Sequence, residues 1–365
     1  MEITWITENY YPNKGGMAQS CDRIVNGLRK SGCIVNILHF SNRHQKIEIQ
    51  KQWNGFYFAL PTHENYPHSL QLGFKIIEKY LKNNQKLVAF GGFLPILCIE
   101  IYAAWLNLPY FVCIRGNDFD AAIFHYQRRE ILRKTLENAV NVITNTSEKA
   151  QKINQFLKSQ KTVFIPNGIE ENWLPSQNEQ KYALIKKNRL RPLKIIGLFG
   201  QLKEKKGTLF FLECVNHANL KEKFHFIIAG ELEENVLNYL ENHYFSYEKL
   251  NFIERYQLIE HYLTCDWIVI PSYYDGMPNV LLESMALGVP VFASNVDGMK
   301  DVIKHLQNGL LYENLNSADL IQNLTKILEM NLTTYQTICN SAYETARNEY
   351  NESIEIERYK KIFFD

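Results

Sequence analysis

One stretch of the chain concentrates residue types that can bind an anion beside a sugar hydroxyl. It runs Pro271-Ser272-Tyr273-Tyr274-Asp275-Gly276-Met277-Pro278-Asn279-Val280-Leu281-Leu282-Glu283 and continues to Val291. It reads as a strand end, a glycine-containing turn and a helix opening near Pro278. A proline in the first helical turn has no amide to leave unsatisfied, and the neighbouring N–H groups point outward. Such a helix start attracts anions, and ligands of open α/β sheets bind at this carboxyl edge. Glu283 falls one to two turns inside the helix, where its carboxylate can accept both hydroxyls of a ribose. A basic loop, Gly197 to Gly207, offers Lys203, Lys205 and Lys206 to a phosphate, together with Gln201. A glutamine can hydrogen-bond phosphate but lacks the charge and fork of arginine. Two further loops follow apolar runs. In Asn9–Ala18 the pair Gly15-Gly16 lets backbone approach a ligand closely, next to Lys14, and Cys113–Asp118 presents Arg115 and Asp118.

The elements that must position these loops alternate as βα units. Strands are expected at Ile3–Thr7, Ile34–Phe40, Phe56–Leu60, Leu87–Phe90, Tyr110–Ile114, Val140–Thr144 and Thr162–Ile165. Pro166-Asn167-Gly168 is a turn signal, and the polar stretch Glu170–Arg191 reads as a linker. A second series follows at Leu193–Phe199, Phe224–Ala229, Asn251–Ile253, Trp267–Ile270 and Val289–Ala293. Two such series predict an α/β chain of two Rossmann-like domains facing across a cleft, residues 1–170 and 171–349. A short terminal helix, about 350–365, is expected to pack back on the first domain.

With 365 residues, 46% of them hydrophobic and 22% charged, the chain has material for two cores and little tendency to disorder. The net charge of +1 is unevenly divided. Residues 1–170 carry 20 Lys and Arg against 13 Asp and Glu, a surplus of seven positive charges, and the remainder a surplus of six negative ones. A basic half points to an anionic partner, here a membrane surface or lipid phosphate. The helical stretch with Arg128, Arg129, Arg133 and Lys134 lacks the interleaved aromatics of a nucleic-acid face. Seven cysteines without a C-x-x-C pair suit reduced core thiols, and Met1–Thr7 has no basic leader, so a cytoplasmic protein is expected. The most apolar stretch, Leu87–Ile114, is interrupted by Gly91-Gly92, Pro95, Glu100 and Pro109. No H-x-H, H-E-x-x-H, G-x-G-x-x-G, Walker A or G-x-S-x-G pattern occurs, so neither a metal nor a cofactor is expected.

Taken together, these motifs resemble glycosyltransferase family 4. Its signature places two carboxylates separated by seven intervening residues in P-S-x-x-E-G-x-P-x-x-x-x-E-A-M-A-x-G-x-P-V, with Asp275 replacing the first Glu here. Gly200-Gln201-Leu202 with Lys206-Gly207 resembles the family's G-R-L-x-x-x-K-G loop, with Gln201 at the Arg position. Phe226–Glu231, Ile165–Ile169 and Val296–Leu311 resemble further family segments. The resemblance implies the GT-B fold and transfer of a sugar from a UDP- or GDP-sugar to a hydroxyl acceptor, with anomeric retention. The acceptor it implies is a glycan or a lipid-linked sugar in cell-surface polysaccharide or lipopolysaccharide assembly. Donor-binding residues are then Gly16, Gln201, Lys206, Gly230, Glu231, Asp275, Gly276, Met277, Pro278, Asn279, Val280 and Glu283. Lys206, Asp275 and Arg115 take catalytic roles, and Lys14, Gly15 and Asp118 face the acceptor. The alternatives are a nucleotide-sugar 2-epimerase and a catalytically idle sugar-nucleotide binder. Peripheral contact with an anionic membrane follows from the basic first half.

Overall fold

The computed structural model describes residues 1–365 except 14, 63–65, 81–84, 176–192 and 252. The chain divides into two compact units, Met1–Asn167 with Glu352–Asp365, and Gly168–Asn351.

In the first unit the strands are β1 (Glu2–Thr7), β2 (Ile34–Ser41), β3 (Glu48–Gln52), β4 (Gly55–Pro61), β5 (Lys86–Phe90), β6 (Tyr110–Ile114), β7 (Val142–Thr144) and β8 (Thr162–Phe164). They form one sheet in the order β3-β4-β2-β1-β5-β6-β7-β8. Every pairing is parallel except β3–β4. The hairpin that adds β3 was not expected. Its turn uses Asn54 at φ 53° and Gly55 at φ 146°, and a Cβ on Gly55 would lie 2.1 Å from the Val35 carbonyl oxygen. The central strands are almost wholly buried, including the polar Thr4, Thr7, Asn36 and His39, because helices cover both faces of a parallel sheet. The helix Glu352–Phe364 closes one face. Its Tyr359 and Phe363 rings pack on Trp5, with centroids 6.5 and 6.2 Å away. Ile356 fills the space over Gly27 of the helix Gly16–Lys30.

The second unit holds β9 (Lys194–Phe199), β10 (Phe224–Ala229), β11 (Tyr247–Leu250), β12 (Trp267–Ile270), β13 (Val291–Ser294) and β14 (Gly309–Tyr312). The order β11-β10-β9-β12-β13-β14 is parallel throughout. The strand expected at Asn251–Ile253 lies instead at Tyr247–Leu250, a polar edge position where burial imposes little alternation. Both units thus put their β-to-helix loops at the carboxyl ends of parallel strands, where an open α/β sheet binds ligands.

Candidate active site

In the second unit three loops follow the neighbouring strands β10, β9 and β12. The first two are laced together by backbone: Gly200 N–H donates to Ala229 O (2.8 Å) and Leu202 N–H to Glu231 O (2.9 Å). Gly230, at φ 137°, makes this possible, since a Cβ there would sit 1.9 Å from the Gly200 oxygen. At Gly207, φ 62°, an added Cβ would lie 2.1 Å from the Pro271 carbonyl oxygen, and Tyr273 N–H donates to Lys205 O (3.0 Å). The loop carrying Lys206 is therefore pinned to the loop carrying Asp275. Their side chains form an ion pair, each about one-fifth exposed.

The turn beyond Asp275 is braced from behind. Gly298 N–H donates to Gly276 O (3.2 Å), and a Cβ on Gly298 would lie 2.4 Å from that oxygen. Pro278 stands in extended conformation at the N-cap, and the helix runs Asn279–Ala286, as the proline predicted. The helix start thus follows Asp275, the partner of Lys206, after a turn with braced backbone, and a helix N-terminus favours an anion. Gln201, Gly230 and Glu231 are exposed at the same edge. Glu283 is buried in the helix, and its carboxylate accepts from Arg255 Nε (2.7 Å) and from Tyr262 OH (2.8 Å).

In the first unit two carboxyls sit at the start of the helix Phe93–Leu106. Asp118 accepts from Gly92 N–H (3.2 Å) and Arg115 N–H (3.0 Å), and Glu8 accepts from Leu94 N–H (3.1 Å). Burial outweighs these hydrogen bonds and pushes Asp118 up to about 6; Glu8 is also raised, chiefly by burial and in part by Asp118. The loop to Gly16 is held by Asn13, which donates to Glu8 O (2.7 Å) and lies 3.5 Å from His39 Nε2. Burial holds His39 near 4, a neutral ring whose Nδ1 meets Tyr57 OH at 2.9 Å.

The sequence profile for Glycosyltransferase Family 4 matches residues 14–173, and that for glycosyl transferases group 1 matches residues 181–348. The chain belongs to glycosyltransferase family 4. An N,N'-diacetylbacillosaminyl-diphospho-undecaprenol alpha-1,3-N-acetylgalactosaminyltransferase of Campylobacter jejuni is 25% identical over 72% of this chain and 72% of its own. A UDP-Gal:alpha-D-GlcNAc-diphosphoundecaprenol alpha-1,3-galactosyltransferase of Escherichia coli is 26% identical over 58% of this chain and 56% of its own. Among solved structures, sucrose-phosphate synthase from Thermosynechococcus elongatus superposes with a TM-score of 0.81 at 17% identity, covering 99% of both chains. The glycosyltransferase therefore has the GT-B fold.

The expectation that Arg115 of the glycosyltransferase reaches a ligand needs correcting. Arg115 is 2% exposed, and it donates from one terminal nitrogen to Asn167 Oδ1 (2.6 Å) and from the other to Tyr359 OH. Its guanidinium also lies over Phe90, 5.0 Å from the ring centroid. Its side chain is a strut for the terminal helix. Only its backbone N–H serves the loop, through Asp118. Lys14 lies outside the described residues, and Gly15 caps the first helix at φ 117°. Sequence reasoning missed Glu8, Arg255, Tyr262 and Glu170. Among the described residues no group of three or more His, Cys, Asp or Glu side chains is placed to hold a metal ion.

Asp118 supplies a pH test. Its folded pKa near 6 exceeds an ordinary carboxyl near 4, so the folded state holds the proton more tightly. Its contribution to stability is full below about pH 4 and is lost as pH rises through about 6. The melting temperature of the parent protein, measured relative to Asp118→Asn, is expected to fall between pH 4.5 and 6.5. A flat difference across that range contradicts the burial argument.

Proposed function

We propose that this glycosyltransferase moves a hexose-type sugar from a nucleoside diphosphate to a hydroxyl of a lipid-diphosphate-linked glycan, with retention of anomeric configuration. The observation that carries the reading is the Lys206–Asp275 pair pinned beside the helix start at Asn279, with the buried Glu283 carboxylate on that helix. The diphosphate replaces Asp275 as the partner of Lys206 and meets backbone N–H groups of the Gly276–Val280 turn other than at Pro278, which has none, and Asp275 turns to the sugar. Glu283 takes the ribose hydroxyls. Gln201, Gly230 and Glu231 line the donor edge, and Gly15 and Asp118 serve the acceptor. As the glycosidic bond breaks, negative charge grows on the β-phosphate, and Lys206 with the oriented amides stabilises it most in the transition state. The departing phosphate then takes the acceptor's proton on the same face. Both relatives are named for diphospho-undecaprenol acceptors and alpha linkages, and one for a UDP-sugar, which supports this class of substrates.

The test is incubation with UDP- and GDP-sugars and undecaprenyl-diphosphate-linked acceptors. Acceptor-dependent release of nucleoside diphosphate is expected, with an alpha product from an alpha donor by NMR. Tight nucleotide binding without release for any acceptor favours the idle binder, and a beta product contradicts retention.

A lipid-linked acceptor calls for a membrane-facing surface. Among the described residues no helix is long and apolar enough to cross a membrane. Phe124 and Tyr126 are 88% and 75% exposed, next in sequence to Arg128 and Arg129. Arg133 is engaged by two carboxylates of its own helix, Glu130 (2.9 Å) and Glu137 (2.8 Å), whereas Arg129 meets Glu130 only at 3.8 Å and Arg128 lies over the Phe93 ring. Aromatic and basic side chains together suit an anionic interface, where each basic residue contributes ~1 kcal/mol. Co-sedimentation with anionic vesicles at low salt is expected, with Phe124→Ser or Arg128→Gln/Arg129→Gln weakening it more than Arg133→Gln. Equal binding to neutral vesicles, or none to either, points to a soluble acceptor.

A further inference from the structure

Glu283 does not stand alone on its helix. Arg255, in the single turn Arg255–Gln257, donates Nε to one carboxylate oxygen (2.7 Å), and Tyr262 donates its hydroxyl to the other (2.8 Å). The two terminal nitrogens of Arg255 both go to Glu170, at 2.5 and 3.1 Å. The guanidinium plane also lies over Trp173, 5.1 Å from the ring centroid, and Trp173 is fully buried. All three nitrogens of the fork thus end on a carboxylate, and one face is stacked. Burial opposes the positive charge of Arg255, but Glu283 and Glu170 outweigh it and raise its pKa.

A carboxylate offers about four acceptor positions. Two on Glu283 are used by Arg255 and Tyr262, one per oxygen, which fixes the carboxylate plane and leaves one position on each oxygen. Two acceptors about 2.2 Å apart suit the vicinal hydroxyls of a ribose, and they do so only while the carboxylate keeps its rotamer.

We propose that Arg255 is the positioning residue for donor recognition: it holds the Glu283 carboxylate in the orientation that takes both ribose hydroxyls, and Glu170 in turn holds Arg255. This rests on the reading that Glu283 faces a nucleoside diphosphate. A lysine cannot replace the fork, because one ammonium group cannot reach Glu283 and both oxygens of Glu170 in a plane. Glu170 lies just past the residue at which the chain enters the second unit.

The experiment compares UDP with 2′,3′-dideoxy-UDP by calorimetry in the parent protein, Arg255→Lys and Glu170→Gln, with melting temperatures measured alongside; GDP and its dideoxy analogue replace them if UDP does not bind. In the parent protein, loss of the two hydroxyls is expected to weaken binding on the order of 10- to 100-fold, as for hydrogen bonds to a charged group. In Arg255→Lys that penalty shrinks about tenfold, with the loss falling on the hydroxylated nucleotide. Glu170→Gln shifts it in the same direction by less. A residue that merely supports the fold weakens both nucleotides alike. An unchanged hydroxyl penalty in both variants overturns the inference. If Arg255→Lys fails to fold, Glu170→Gln decides alone, and a parent-like penalty there overturns it. A parent protein that binds no nucleoside diphosphate, or binds without regard to the hydroxyls, instead removes the donor reading of Glu283.

Discussion

Lys206→Ala is expected to lower kcat on the order of 10²-fold, the loss typical of removing one group that stabilises an oxyanion in the transition state. The other cations of that loop, Lys203 and Lys205, are exposed. Gln201 stands where a family arginine is usual, and an amide supplies neither charge nor fork. Lys205 lies over the exposed ring of Tyr274, 5.7 Å from its centroid. Lys206 is the cation of the loop that pairs with Asp275, and the loop is pinned beside it because Gly207 abuts the Pro271 carbonyl and Tyr273 N–H is bonded to Lys205 O. The substitution should scarcely change the melting temperature, since a partly exposed pair contributes little to folding, about 0–1 kcal/mol. Asp275→Ala separates the roles of the pair. Without its carboxylate Lys206 has no competitor for phosphate, so nucleoside diphosphate should bind more tightly while sugar transfer falls. Steady-state kinetics with calorimetry check both statements. Full turnover in Lys206→Ala contradicts its role, and weaker diphosphate binding in Asp275→Ala contradicts the exchange of partners.

How much of this was legible in the sequence depended on whether the signal was local. The helix start at Asn279 was readable from Pro278, because a proline's missing amide marks a helical first turn whatever the tertiary surroundings. The pairing of Lys206 with Asp275 was half readable. Each lay on its own motif, but the contact across 69 positions depends on β9 and β12 being neighbours in the sheet. The supports of Glu283 were invisible, since Arg255, Tyr262 and Glu170 belong to three separate elements and none has a spacing that marks it. The β3–β4 hairpin was missed although Asn54-Gly55 is a strong turn signal; the polar strand Glu48–Gln52 has no apolar alternation to draw attention. Arg115 misled for a different reason. Its position at the end of β6 fits a ligand contact, and only the three-dimensional course of the terminal helix shows the side chain occupied by Tyr359 and Asn167.

That terminal helix leads to the second large expected effect, on stability. Arg23 donates to the Glu355 carboxylate at 2.8 and 3.3 Å, with both side chains about 1% exposed. Charges so deeply buried depend on each other, because neither can recover its hydration. Glu355→Ala should therefore cost about 3–5 kcal/mol by leaving the Arg23 guanidinium buried without its carboxylate. In a domain of this size, that is a fall in melting temperature on the order of 10 °C. The double variant Arg23→Met/Glu355→Leu removes both charges and keeps most of the volume, so it should regain most of that loss. The apolar contacts of the helix remain in it, with Tyr359 and Phe363 on Trp5 and Ile356 on Gly27. Thermal melting of the three proteins, with limited proteolysis of the C-terminal segment, checks the argument. If the single and double variants melt together, hydrophobic packing rather than the buried ion pair fastens the helix. If the single variant loses the helix to protease and the double variant keeps it, the penalty belongs to the stranded charge.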